Sequence, residues 1–241
     1  MRIQCLKAIW ATLFIFSSTL IYADDSSETQ ASPFSATIGI YSDYMFRGIT
    51  QTDDGIAIQG SLDYTNENGF YAGIWGSNVE FNGANNTSLE VDIYLGYVMT
   101  IMDTQLDFAA LRYMYPDGND FEDFNEYKLA ATFSDFTVSF SYSNDMYGTG
   151  EDAWYLNGAY SFALPMDLSL NLSLGYSDYD RAILNNGSAA DQYTDWSIGL
   201  SKSISGFDLN LQYIDSDSNS EEMFGKDATD GRLVFSVSRT F

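Results

Sequence analysis

Between residues 168 and 175, Leu168, Leu170, Leu172 and Leu174 alternate with Ser169, Asn171, Ser173 and Gly175. A period of two is the repeat of a β-strand, whose successive side chains point to opposite faces. The pattern recurs in Phe207, Leu209, Leu211 and Tyr213 against Asp208, Asn210 and Gln212. It recurs again in Phe136, Val138, Phe140 and Tyr142 against Thr137, Ser139, Ser141 and Ser143. One face suits hydrocarbon and the other suits water, the two solvents that meet a membrane-spanning barrel wall.

Twelve segments carry some form of this alternation. They are predicted near 34–46, 56–65, 69–81, 88–99, 104–115, 125–133, 135–144, 152–162, 166–177, 192–202, 206–215 and 231–241. Short turns at 66–68, 134, 163–165 and 203–205 follow even-numbered strands. Longer acidic stretches at 116–124, 178–191 and 216–230 follow odd-numbered ones. This parity predicts one antiparallel transmembrane β-barrel over 34–241, all-β, with about twelve strands, short periplasmic turns and longer acidic external loops. In the fifth segment Arg112 shares a face with Leu106, Phe108 and Ala110, and a bulge is expected there.

Residues 1–23 have the form of a secretory signal of the Sec type: Arg2 and Lys7, then an apolar run to Tyr22, then Ala23. Residues 24–33 are read as a short periplasmic lead-in. The chain carries 34 acidic residues against 10 basic ones, a formal charge of −24. Without Arg2 and Lys7 the balance is 8 against 34, or −26. Such a surface repels phosphate backbones, so nucleic acid is excluded as a partner. The 45% apolar and 16% aromatic content argues equally against a disordered acidic chain.

The segment S-D-Y-M-F-R-G-I-T-Q-T at 42–52 is the most specific stretch, followed by A-I-Q-G-S-L-D-Y at 57–64, G-F-Y-A-G-I-W-G-S-N-V at 69–79 and E-V-D-I-Y-L-G-Y at 90–97. These resemble the Gcw_chp family of TorF-type porins. The final strand, closing on Phe241, likewise resembles the terminal strand of outer-membrane barrels. The resemblance implies a bacterial outer-membrane location, contact with membrane lipid and lipopolysaccharide, and recognition of Phe241 by the barrel-assembly machinery. It supplies no catalytic residues.

Alternation places Asp43, Arg47, Gln59, Asp63, Glu90, Asp92, Glu126, Lys128, Asp195, Asp208 and Arg232 on the watery face, as candidate pore-lining residues. Acids outnumber bases among them, so a narrow diffusion channel for small polar solutes with a cation preference is expected. Arg47 is read either as a neutraliser of the luminal acids or as part of the selectivity lining. The competing reading is a non-conducting structural or adhesive barrel that grips a partner through its acidic loops, with Phe121, Phe124, Met146, Tyr147, Met223 and Phe224 as contacts. Catalysis is not expected, because the chain has no histidine and neither Lys128 nor Lys202 has a nucleophile motif beside it. No cofactor is expected. Asp215, Asp217 and Asn219 open a calcium-loop pattern that fails at Ser220 and Lys226.

Overall fold

The computed structural model describes residues 32–80, 87–116, 118, 123–180 and 188–241. The signal-like segment, Asp117, Asn119, Asp120, Phe121 and Glu122 lie outside the described residues. The strands are β1 (Phe34–Tyr41), β2 (Met45–Phe46), β3 (Ile49–Thr50), β4 (Ala57–Thr65), β5 (Phe70–Asn78), β6 (Leu89–Ile101) and β7 (Thr104–Met114). They continue with β8 (Phe124–Phe133), β9 (Phe136–Ser143), β10 (Ala153–Leu164), β11 (Leu168–Tyr179), β12 (Gln192–Ile204), β13 (Phe207–Ser216) and β14 (Arg232–Thr240).

All except β2 and β3 close into one antiparallel barrel of twelve strands, β1 pairing with β4 on one side and β14 on the other. Closure leaves no strand edge, as a wall facing lipid requires. Outward positions are apolar and exposed, among them Ile38, Leu62, Leu95, Leu129, Phe140, Leu174, Leu200, Leu211 and Phe235. A belt of this extent has no counterpart on a water-soluble globule and matches the lipid face of a barrel. The opposite faces carry Ser61, Ser139, Ser161, Asn171, Ser173, Ser197 and Ser236, all buried inside.

One end of the barrel holds tight turns. Ser205 and Gly206 both have positive φ (54° and 80°) between the paired Ile204 and Phe207, the geometry of a type I′ hairpin. The long connections gather at the other end. Phe241 is exposed at the short-turn end, with its backbone bonded to Ala36.

Two expectations need correction. The first barrel strand stops at Tyr41, not near residue 46, because residues 45–50 pair with one another to form β2 and β3. The expected bulge at Arg112 is absent: β7 keeps unbroken register with β6 and β8 over 104–114. Arg112 instead points outward near the long-loop end, 3.1 Å from Asp123. There its head group reaches the rim while its stem lies on the apolar face.

Interior glycines stand against interior tyrosines. A Cβ on Gly96 would lie 2.3 Å from the ring of Tyr71, its cross-strand partner, and one on Gly73 would lie 2.3 Å from the hydroxyl of Tyr94. The rings therefore lie flat over bare backbone, and their hydroxyls reach acids further along the wall. Tyr71 donates to Asp107 at 2.8 Å, and Tyr94 donates to Asp63.

Candidate functional site

The S-D-Y-M-F-R-G-I-T-Q-T segment does not line the wall; it folds into the lumen. Arg47 and Gly48 both have positive φ (50° and 81°) between the paired Phe46 and Ile49, so β2 and β3 form a type I′ hairpin. Its root is tied down by Asp43, whose Oδ1 accepts from the Thr50 hydroxyl at 2.7 Å and the Thr52 hydroxyl at 2.8 Å. Arg232 of β14 holds the same root through Asp43 Oδ2 at 3.4 Å and through Asp54. Tyr44 packs edge-on against Trp75 and donates to Glu90 Oε1 at 3.0 Å.

The tip crosses to the far wall. Arg47 Nη2 is 2.5 Å from Glu126 Oε2 on β8, with both side chains almost fully buried. Its guanidinium lies 4.3 Å from the ring centre of Tyr155 on β10 and 4.6 Å from that of Phe46. The Tyr193 hydroxyl on β12 donates to the Arg47 carbonyl at 2.9 Å. Burial alone would loosen the Arg47 proton, but Glu126 together with Tyr179, Tyr113 and Tyr155 outweighs it, and the pKa is raised above the ordinary arginine value.

An apolar cluster completes the closure of the long-loop end. Tyr113, Tyr115, Phe124, Met146, Ala153, Tyr179, Tyr193 and Met223 are buried together, with Phe46, Ile49, Tyr147 and Phe224 packed against them. Met223 and Phe224 belong to a helix, Ser218–Phe224, in the connection before β14. Phe224 meets Tyr179 and Tyr193 edge-on, at 5.9 Å and 5.8 Å between ring centres. The residues considered as adhesive contacts, Phe124, Met146, Tyr147, Met223 and Phe224, thus face the lumen. Asp217, considered as a calcium ligand, caps that helix by accepting from the Asn219 backbone N–H. Among the described residues no group of three acidic side chains is placed to hold a metal ion.

The wall residues expected on the watery face do project inward. Gln59, Asp63, Glu90, Asp92, Glu126, Lys128 and Asp195 are buried within the lumen. Asp208 is exposed at the short-turn end, where Ser203 donates to it, and Arg232 sits at the long-loop end. Asp43 and Arg47 also lie inside, but on the inserted segment. Several luminal groups went unread in the sequence: Asp107, and the tyrosines Tyr71, Tyr94, Tyr113, Tyr155 and Tyr193. Asp107 was legible in principle, since it shares parity with Ala109, Leu111 and Tyr113.

Below the plug the wall of β10 to β12 carries small polar side chains bonded in pairs. Asn157 donates to Ser173 at 2.8 Å, Ser161 to Asn171 at 2.6 Å, and Asn171 to Ser201 at 3.0 Å. Along the barrel the luminal lining therefore changes from aromatic and charged at the mouth to small and polar below it.

The model of the family described as "Bacterial protein of unknown function (Gcw_chp)" matches residues 26–241. The chain belongs to the Gcw_chp family. Among solved structures it is similar to the NanC porin, with a TM-score of 0.54 and 10% identity over 86% of this chain and 98% of that one. It is also similar to the KdgM porin in complex with disordered oligogalacturonate, with a TM-score of 0.53 and 9% identity over the same shares. At such identities the likeness is one of fold. Among curated proteins none matches this Gcw_chp chain.

Proposed function

We propose that this Gcw_chp barrel is a narrow outer-membrane channel for small polar solutes, constricted at its external end by the β2–β3 hairpin. The observation that carries the reading is the pairing of a small, polar luminal lining with a mouth closed by a discrete inserted element rather than by the wall itself. The apolar exterior belt supports placement in a membrane, and the porin-like shape supports the bacterial outer membrane.

Cation preference follows from the luminal charges. Among the described residues, Asp63, Glu90, Asp92, Asp107, Glu126 and Asp195 on the wall, with Asp43 at the hairpin root and Asp208 at the short-turn rim, outnumber Arg47, Lys128 and Arg232. One uncompensated charge at about 4 Å from a permeating ion is worth about 4 kcal/mol at an effective dielectric near 20. Purified protein in planar bilayers is expected to show small steps with a cation-sign reversal potential. Asp63→Asn with Asp92→Asn is expected to reduce that potential. An anion-sign potential would overturn the charge assignment.

The closed mouth itself favours a second reading, a non-conducting structural barrel. Absence of any conductance, from protein whose heat-modifiable gel migration proves it folded, would select that reading.

A further inference from the structure

The Arg47 guanidinium is held as a receptor holds a ligand. Its surroundings come from separate strands: Glu126 from β8, Tyr155 from β10, Tyr193 and Asp195 from β12. The Tyr113 hydroxyl of β7 steadies the other oxygen of Glu126 at 3.4 Å. A carboxylate in the plane of the cation and an aromatic face over it is the arrangement that recognises flat, delocalised cations. The cage is also more acidic than its occupant requires. Asp195 Oδ2, in a residue 6% exposed, finds no hydrogen-bond partner among the described residues, nor does Nε of Arg47. Tyr155, whose ring faces the guanidinium, donates to the other oxygen of Asp195 at 3.1 Å, and the free oxygen lies over Gly175, which has no Cβ to fill that space. A buried carboxylate oxygen left unpaired is costly, so Asp195 retains hydrogen-bonding capacity that the tethered arginine does not use.

We propose that this cage is a binding site for small guanidinium-bearing solutes, and that Arg47 occupies it as a tethered substitute in the resting barrel. A free alkylguanidinium carries the same five N–H donors as the tethered one but is not restrained by a type I′ turn. It reaches Glu126 and Asp195 together, and its entry displaces the hairpin. The idea rests on the channel reading for the route by which the solute arrives. Its test reads binding without ion flow.

The variant is Arg47→Gly. Positive φ at both turn positions suits a Gly-Gly pair, so the hairpin keeps its conformation while the cage loses its occupant. The melting temperature of the folded barrel in detergent is measured with methylguanidinium, and with methylammonium as the control of equal charge. The expected result is a melting temperature lowered by the substitution and restored by methylguanidinium, with about tenfold preference over methylammonium. The parent chain, whose cage is filled, responds far less. Equal response to both cations, equal response of variant and parent, or no response would each overturn the proposal. Should the glycine variant fail to fold, Arg47→Lys replaces it, since lysine keeps the charge and loses the planar fork. Restoration in a barrel that never conducts would keep the cage and reject the channel. A conducting variant with no restoration would reject the cage alone.

Discussion

Arg47 Nη2 and Glu126 Oε2 stand 2.5 Å apart in the mouth of the barrel, joining the tip of an inserted hairpin to wall strand β8 across 79 residues of sequence. Removing one partner of a buried pair leaves the other charge uncompensated, at a cost of about 3–5 kcal/mol. Glu126→Ala is therefore expected to release the hairpin while the lipid-facing wall stays intact. Trypsin reads this directly, because Arg47 is 7% exposed and is shielded in the parent. Cleavage after Arg47 should appear only in the variant, with heat-modifiable migration of the barrel preserved before digestion.

Gly48 occupies the position where the tip meets β12 and β13. A Cβ there would lie 2.9 Å from Asp195 Cβ and 3.1 Å from Ser216 Cβ, on backbone with φ of 81°. Gly48→Val is expected to cost about 1–2 kcal/mol in backbone strain alone, with the clash added. It should expose the hairpin to trypsin as Glu126→Ala does. Because both substitutions break one seating event, their combination should do little more than either alone.

The tyrosine–glycine contacts are expected to stabilise the wall independently of the hairpin. Gly96→Ala drives a methyl into the Tyr71 ring, and overpacking of this kind costs about 1–3 kcal/mol. The melting temperature of the barrel should fall while trypsin resistance at Arg47 persists. Pairing Gly96→Ala with Tyr71→Ser should recover part of the loss, since the serine vacates the space that the methyl needs.

Burial raises the Asp43 carboxyl above the ordinary value of 3.8, and the hydrogen bonds from Thr50 and Thr52 and the charge of Arg232 only partly oppose this. The folded hairpin thus binds the proton more readily than the unfolded chain does. This contribution to stability is fully present below the ordinary value and is lost as pH rises through the higher folded value. Melting curves between about pH 3 and pH 7 should show the parent losing stability relative to Asp43→Asn as pH increases. Parallel curves would mean that Asp43 titrates as a free aspartate.

Most of the barrel was legible because its two solvents impose opposite chemistry on alternate residues. Leu168 to Leu174 and Phe136 to Tyr142 admit one orientation only, and inward parity was readable even for Glu90, Asp92 and Glu126. Reading failed where one residue type serves two environments. Arg112 looks misplaced on a lipid face until its depth is known, because a rim position lets it reach Asp123. Met45 and Phe46 have strand-like character, so the segment reads as an extension of β1. The reversal at Arg47–Gly48 is fixed by positive φ at a non-glycine residue, which sequence alone does not announce. The cage was out of reach for a further reason: Glu126, Tyr155 and Asp195 meet Arg47 only after the barrel has closed.

The central claim is that the β2–β3 hairpin sets the size of the conducting path. Tyr44 and Gln51 are already bridged by a backbone hydrogen bond of 2.7 Å, so two glycines can replace residues 45–50 and close the same turn. Single-channel conductance of this shortened barrel, compared with the parent under the same salt, tests the claim most directly. The account predicts larger, cation-preferring steps from the shortened barrel. Steps of unchanged size from a folded barrel would contradict it.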